Sequence, residues 1–299
     1  MADHRFRLHT GRHIGVSAAG DPLSRRLVVF CHPTPGSGGF DPNPIVTNRW
    51  GVHLLAVDRP GYGASDPWPS GVAPSIQGFA EDIFEYVSRS ESIAMNVEHT
   101  DFGRIGVIGW GTGGAVALSL AAQHPDKVDR LVIVGAASPD ASGNGRGPGN
   151  ALEGADVGRN TSVDALAESL RDRLPFTTDT LGVDDDDPAF AMLGLEGRVQ
   201  RMLQDAQAQE AAGVATDLLA LRDDSWADDL SSITAETIIV YGDGDPMSDS
   251  EDASVFGKRI PGARRARVQD TGRLVIASAW RQLLEHVAPD HGRVPEEIR

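Results

Sequence analysis

Five short apolar runs recur along the chain, and each is followed by glycine, proline or other turn-forming residues. They are rich in β-branched side chains and are separated by segments with helical character. The runs cover residues 27–31, 52–57, 105–108, 131–134 and 237–241. Runs of this length and composition are typical of buried parallel strands in βαβ units. The pattern therefore predicts an α/β fold with a doubly wound, mostly parallel sheet.

Helical periodicity appears between these runs. Ile76, Phe79, Ile83 and Val87 fall on one face of a helix before the third run, and a helix of small residues is predicted over 115–123. After residue 137 the alternation stops. A Gly/Asn/Ser linker is predicted over 138–150. Further helices are predicted over 163–174, 189–209 and 214–221, with a loop at 184–187.

Strand signals return only at residue 237, so the all-helical stretch interrupts the sheet-forming part of the chain. We expect residues 138–230 to form a helical cap or lid. Residues 1–137 and 231–299 then form the α/β core.

Charge and composition narrow the possible partners. The formal net charge is −16, which makes nucleic acid and anionic membrane surfaces poor partners. Residues 138–230 carry 19 acidic and 7 basic side chains, a net charge of −12. A solvated acidic surface explains this excess, and attraction of cationic ligands is the alternative.

The sequence also bears on location and cofactors. No stretch approaches the ~20 uncharged apolar residues of a membrane span, and residues 1–10 lack a signal-peptide core. One cysteine, Cys31, excludes an internal disulfide. We therefore expect a cytoplasmic protein. No metal-ligand spacing or phosphate-binding loop is evident, so no cofactor is expected.

Five sequence blocks, in order, resemble the motifs of the α/β-hydrolase superfamily. The segment 109–114, Gly-Trp-Gly-Thr-Gly-Gly, looks like the nucleophile elbow G-x-S-x-G-G. Residues 32–36 resemble the oxyanion loop, and residues 58–65 resemble the turn after the next strand. Residues 242–246 resemble the strand end with the triad acid, and residues 270–274 resemble the segment with the triad histidine. The resemblance implies an α/β-hydrolase fold over residues 27–137 and 231–286.

Two catalytic positions depart from the family pattern. Gly111 stands where the resemblance places the serine, and Arg273 stands where it places the histidine. Glycine has no nucleophile, and a guanidinium stays protonated, so it cannot act as a general base. Thr112 cannot simply substitute, because the residue after the nucleophile contributes its backbone N–H. We therefore expect that the protein is not a serine hydrolase.

The electrostatic part of the site is expected to remain. By resemblance, the backbone N–H groups of Thr112 and Thr34 form the oxyanion hole. Asp245, in the position of the triad acid, is the natural partner of Arg273. Together these groups suit a carboxylate, a phenolate or a developing enolate in an open polar pocket at Gly111. The alternative is that Arg273 and Asp245 form a salt bridge that only fills a dead pocket.

Two further residues belong to the predicted site. In the family the position of His32 usually orients the oxyanion loop, and a role in proton transfer is the alternative. Trp110 is expected to be a pocket wall.

These features leave two main classes of function, with a hydrolase of non-serine mechanism as a further alternative. The first is an enzyme that carries out a non-hydrolytic cyclisation, elimination or isomerisation on a small, possibly anionic, substrate. The second is a non-catalytic pseudoenzyme that binds a ligand or protein.

Overall fold

The computed structural model describes residues 2–94, 103–139 and 161–292, and in this part of the chain eight strands form one sheet. Their order across the sheet is β1-β2-β4-β3-β5-β6-β7-β8. The strands are β1 (Ala2–Arg7), β2 (His13–Gly20), β3 (Leu27–Cys31), β4 (His53–Val57), β5 (Ile105–Trp110), β6 (Val128–Val134), β7 (Glu236–Gly242) and β8 (Arg264–Val268).

The six strands from β3 to β8 run parallel to their neighbours, whereas β1 and β2 form an antiparallel edge. The predicted α/β fold with a doubly wound, mostly parallel sheet is confirmed. All five predicted strands form, with ends that differ by up to three residues. The prediction missed β1, β2 and β8.

Helices flank the sheet and also form in the described part of the chain between β6 and β7. They are α1 (Pro44–Trp50), α2 (Ile76–Ala94), α3 (Thr112–Gln123), α4 (Val163–Ser169), α5 (Thr178–Leu181), α6 (Leu195–Ala206), α7 (Ala212–Leu221), α8 (Ser250–Arg259), α9 (Val275–Ser278) and α10 (Trp280–Val287). Short 3₁₀ turns cover Arg171–Arg173, Pro188–Ala191, Asp224–Ala227 and Leu230–Ser232.

Two predicted helices are shorter than expected. The helix predicted over 163–174 ends at Ser169 and continues as a 3₁₀ turn. The helix predicted over 189–209 is a 3₁₀ turn and then α6, because Gly194 has a φ of 68° and interrupts the helix. The predicted loop at 184–187 is confirmed.

Every element described between β6 and β7 is helical, which agrees with the expected insert. Residues 140–150 of the predicted linker lie outside the described residues. The division of the chain into a core and a separate cap remains a prediction.

The core lies on both faces of the sheet as two buried hydrophobic clusters. One cluster continues from the sheet into the helical stretch, so that Phe40 and Trp110 belong to the same cluster as Val199 and Leu203 of α6. This packing places the helical stretch over the carboxyl ends of the central strands. None of the helices in the described ranges is long and apolar enough to cross a membrane.

Candidate active site at the carboxyl ends of the strands

A sharp turn between β5 and α3 forms the floor of the candidate site. Gly111 is the single residue of this turn, with φ 58° and ψ −123°. Its N–H donates to Val134 on the neighbouring strand at 2.9 Å, and its carbonyl accepts from Gly114 at 2.8 Å. A positive φ is strained for side-chain-bearing residues, and glycine removes that cost. The structure thus places Gly111 at the strand-to-helix turn that the resemblance assigned to it.

Arg273 approaches this turn from the loop between β8 and α9. Its Nη1 donates to the carbonyl of Gly135 and lies 3.3 Å from Oδ2 of Asp245. The side chains of Arg273 and Asp245 are 1% and 0% exposed. A buried carboxylate and guanidinium are costly unless each is paired, and here each supplies the other's partner. Burial raises the pKa of Asp245, and the positive charge of Arg273 opposes that shift.

The guanidinium occupies the space of a side chain at position 111. A Cβ built on Gly111 would lie 2.2 Å from Nη2 of Arg273 and 3.4 Å from Cβ of Pro33. Gly111 and its neighbours Trp110 and Thr112 are buried. The space directly at Gly111, which was expected to be open, is therefore occupied within the described residues, because the long Arg273 side chain reaches across the turn.

Several polar atoms around the turn have no hydrogen-bond partner within the described residues. They are Nε of Arg273, Nε1 of Trp110 and Oγ1 of Thr112. The Arg273 guanidinium lies over the Trp110 ring, 5.8 Å from its centroid. Buried donors without partners cost about 1–3 kcal/mol each, so such groups are uncommon in folded proteins.

The two residues expected to form the oxyanion hole lie on the loop after β3 and at the start of α3. In the described loops and turns, neither the Thr34 N–H nor the Thr112 N–H donates to a backbone carbonyl. Both residues are buried, at 0% and 4% exposure. The hydroxyl of Thr34 donates to Oδ2 of Asp217, so this side chain is held by the helical stretch above it. The role of these two amides in binding an anion remains a prediction.

His32 does not present a ring nitrogen to the turn. Its Nδ1 contacts the carbonyl of Pro33 at 2.9 Å, and its Nε2 accepts the backbone N–H of Arg59 at 3.2 Å. Burial and the nearby charge of Arg59 lower the pKa of His32 well below its ordinary value. The ring is therefore neutral, with its proton on Nδ1. This geometry fits the expected role of His32 in orienting the oxyanion loop, because both ring nitrogens contact the backbone there. A role of His32 in proton transfer remains a prediction.

Sequence analysis missed a buried polar cluster beside the turn, centred on Asp217 of α7. Arg59 binds this carboxylate through Nε at 2.8 Å and Nη2 at 2.6 Å, and the Tyr62 hydroxyl donates to it at 2.7 Å. Arg59 also donates to the carbonyls of His32 and Pro33. A signal was present in the sequence, because Asp217 is the only charged residue within the apolar helix Ala212–Leu221.

The fold and the strand-to-helix turn define a class of protein. The α/β hydrolase fold family matches residues 26–278. The chain therefore belongs to the α/β hydrolase fold family.

Curated relatives are esterases at low identity. A pimeloyl-[acyl-carrier protein] methyl ester esterase from Aromatoleum aromaticum is 29% identical over 182 residues, which is 56% of this chain and 65% of that protein, just under two thirds of its length. The esterase of the same name from Aeromonas hydrophila is 23% identical over 242 residues, which cover 81% of this chain and 85% of that protein.

Solved structures support the fold across most of the chain. An esterase from Exiguobacterium antarcticum superposes with a TM-score of 0.69 at 23% identity, covering 97% of this chain and 99% of that one. An enol-lactonase from Burkholderia xenovorans superposes with a TM-score of 0.64 at 16% identity, covering 94% and 98%. At these identities the likeness concerns the fold alone.

Proposed function

We propose that this chain is a pseudoenzyme with respect to ester hydrolysis and acts by binding a ligand or a protein. The observation that carries the proposal is the position of Arg273, whose Nη2 lies where a nucleophile's side chain would begin. Acyl transfer in this fold needs a nucleophile above the turn and a base beside it. The guanidinium supplies neither function, and it occupies the space in which the side chain of a nucleophile at position 111 would begin.

The test follows from the named activity of the relatives. Monomethyl pimelate, p-nitrophenyl acetate and a serine-directed fluorophosphonate probe should be offered to the purified protein, with a serine esterase as positive control. We expect hydrolysis no faster than with an unrelated protein of similar composition, and no labelling. Saturable turnover that is lost in Thr112→Val would contradict the proposal and assign the chemistry to the Thr112 hydroxyl.

A second candidate, a non-hydrolytic reaction on a small anion, is favoured by the polar atoms that lack partners at the turn. Nε of Arg273, Nε1 of Trp110 and Oγ1 of Thr112 are all buried and unsatisfied within the described residues. An anion admitted by a small movement of the Arg273 side chain would satisfy them. Donors aimed at one point are the arrangement that stabilises a developing carboxylate, phenolate or enolate.

Substitution of Arg273 separates the two candidates. If a small anion binds at the turn, Arg273→Ala should weaken its binding by roughly 10- to 150-fold, the range of a lost charge-assisted hydrogen bond. Arg273→Lys should restore only part, because an ammonium cannot span two partners. Benzoate and acetate, with binding followed by calorimetry, are suitable probes. Unchanged affinity with a lower melting temperature would identify Arg273 as a structural filler and favour the pseudoenzyme.

A further inference from the structure

A second cleft lies on the outer side of Phe40, between α6 and the edge formed by β2 and α1. Its volume is about 520 Å³, which is within the range of sites for small molecules. Its walls combine glycines with a few polar side chains: Gly39, Asp41, Asn48, Gly197, Arg198 and Arg201. The cleft shares no lining residue with the turn at Gly111, so it is a separate site.

Gly197 indicates that the space in this cleft is not accidental. It lies in the first turn of α6, where glycine is less favourable than alanine by about 1 kcal/mol. A Cβ built on Gly197 would meet no atom within 4 Å. Packing therefore does not require a glycine at this position. Because glycine has no side chain, the cleft stays open there.

Asp41 supplies a buried carboxylate to the cleft. It is 6% exposed. Its Oδ1 accepts the Asn43 N–H at 3.0 Å and the Thr47 hydroxyl at 2.8 Å. Both of these hydrogen bonds go to the same oxygen, which leaves Oδ2 available as an acceptor. Burial raises the pKa of Asp41, as expected for a carboxylate without a direct cationic partner.

Two arginines form the opposite wall on α6. Arg198 donates from Nη1 to the Leu193 carbonyl at 3.0 Å and from Nη2 to the Pro42 carbonyl at 3.1 Å. Its Nε is buried and has no partner among the described residues. Arg201 follows three positions later on the same helix face, and it is exposed. These two cations are conspicuous because residues 138–230 carry a net charge of −12.

We propose that this cleft binds a small organic carboxylate that also carries an ammonium or hydroxyl group. The carboxylate binds the exposed guanidinium of Arg201, with the charge of Arg198 beside it, and the ammonium or hydroxyl donates to Oδ2 of Asp41. The two ends of the ligand thus meet charges of opposite sign, so the cleft determines the orientation of the ligand as well as its affinity.

Calorimetry with simple bifunctional probes tests the proposal on the full chain. The probes are 3-aminopropanoate, 6-aminohexanoate and 6-hydroxyhexanoate, compared with hexanoate, hexylamine and inorganic phosphate. We expect at least one bifunctional probe to bind more tightly than all three comparison compounds. If none of the bifunctional probes binds, the proposal is wrong. Equal or tighter binding of phosphate would overturn the organic ligand and indicate a simple anion site.

Substitutions locate the bound probe. Gly197→Phe should abolish binding by filling the cleft, whereas Gly197→Ala should leave most of it. Arg201→Ala should weaken binding of the best probe about 10-fold or more, and Arg49→Ala, an exposed arginine on α1 that does not line the cleft, serves as control. Asp41→Asn should weaken the bifunctional probes but not hexanoate. Binding that survives Gly197→Phe would place the ligand elsewhere and refute the proposal.

Discussion

At the scale of single residues, the contact between Gly111 and Arg273 determines what the turn can do. The Nη1 of Arg273 contacts the Gly135 carbonyl and Asp245. The far end of the Arg273 side chain occupies the volume that the first carbon of any side chain at position 111 would need. The two positions are therefore energetically coupled although they are distant in the sequence.

A double-mutant cycle measures this coupling. Gly111→Ala should lower the free energy of unfolding by about 1–3 kcal/mol beyond the backbone strain at positive φ, because the added methyl group overpacks the turn. In an Arg273→Ala background the steric part of this destabilisation should vanish. The backbone strain at position 111 is the same in both backgrounds, so it cancels in the coupling energy. Urea unfolding of the four proteins gives the coupling energy. Additivity within about 0.5 kcal/mol would mean that the guanidinium does not occupy this space.

The position of Arg273 in the sequence could be predicted, but its effect could not. Its alignment with the family's histidine followed from the spacing to Asp245 and the motif order. Whether its side chain would leave a pocket or fill one depends on reach and on the direction of the chain after β8. Those are properties of the packed molecule, and no local sequence pattern records them.

At the scale of elements, the five strands that were predicted are central and have largely buried residues. The three that were missed lie at the sheet edges or beside them. β8 reads Arg-Arg-Ala-Arg-Val and has no residue that is fully buried, and β1 reads Ala-Asp-His-Arg-Phe-Arg, with only two apolar residues. Edge strands face water and therefore lack the continuous apolar runs that identify buried parallel strands.

Helix α7 is attached to the loop after β4 by the ion pair between Asp217 and Arg59, in which both side chains are buried. Asp217→Asn should lower the free energy of unfolding by about 3–5 kcal/mol, because it leaves a buried guanidinium without its counter-charge. Asp228→Asn, at an exposed site in the same stretch, should change it by less than about 0.5 kcal/mol.

Urea denaturation of both variants against the parent provides the comparison. A loss below about 1 kcal/mol for Asp217→Asn would show that water reaches this pair and that it does not fix the loop. A loss as large in Asp228→Asn would indicate that any change of charge in this stretch is harmful.

Helix α6 should become more stable when its glycine is replaced. Gly197→Ala is expected to raise the free energy of unfolding by about 0.5–1 kcal/mol, because alanine restricts the unfolded chain and the folded site has room for a methyl group. The midpoint of thermal unfolding reports the change. A decrease in stability would mean that the cleft is narrower than described, which would also weaken the case for a ligand there.

At the scale of the whole molecule, buried and partly buried histidines make stability depend on pH. Among the described residues, burial lowers the pKa of His32, His53, His286 and His291 below 6.5. Between pH 6.5 and the lower native pKa values, the unfolded chain binds protons that the native protein does not. The free energy of unfolding therefore falls as the pH falls through this range, at up to about 1.4 kcal/mol per pH unit for each histidine.

Urea unfolding at pH 7.5 and pH 5.5 measures this dependence. His32→Gln should show a shallower fall than the parent, since glutamine does not titrate. His4→Gln serves as a control because His4 is exposed. An equal slope in the parent and in His32→Gln would assign the acid sensitivity to other groups.

The fold as a whole could be predicted because several weak signals agreed in order and spacing. Apolar runs, turn residues and five motif-like blocks each permit other folds when taken alone. The cluster around Asp217 and the cleft beside α6 could not be predicted in the same way. Both arise where the helical stretch meets the sheet, and their residues come from segments that no motif connects.

The crowding between Gly111 and Arg273 also constrains the order in which these two residues can be substituted without loss of stability. In a library of single substitutions, the Gly111→Ser variant would be destabilised, since the serine Cβ collides with the guanidinium. Arg273→His taken first removes the obstacle and leaves Asp245 able to accept a proton or bind the new imidazole. A nucleophile at position 111 is then tolerated. Starting from this sequence, substitutions that lead to a complete Ser-His-Asp set are therefore tolerated when position 273 changes first and destabilising when position 111 changes first.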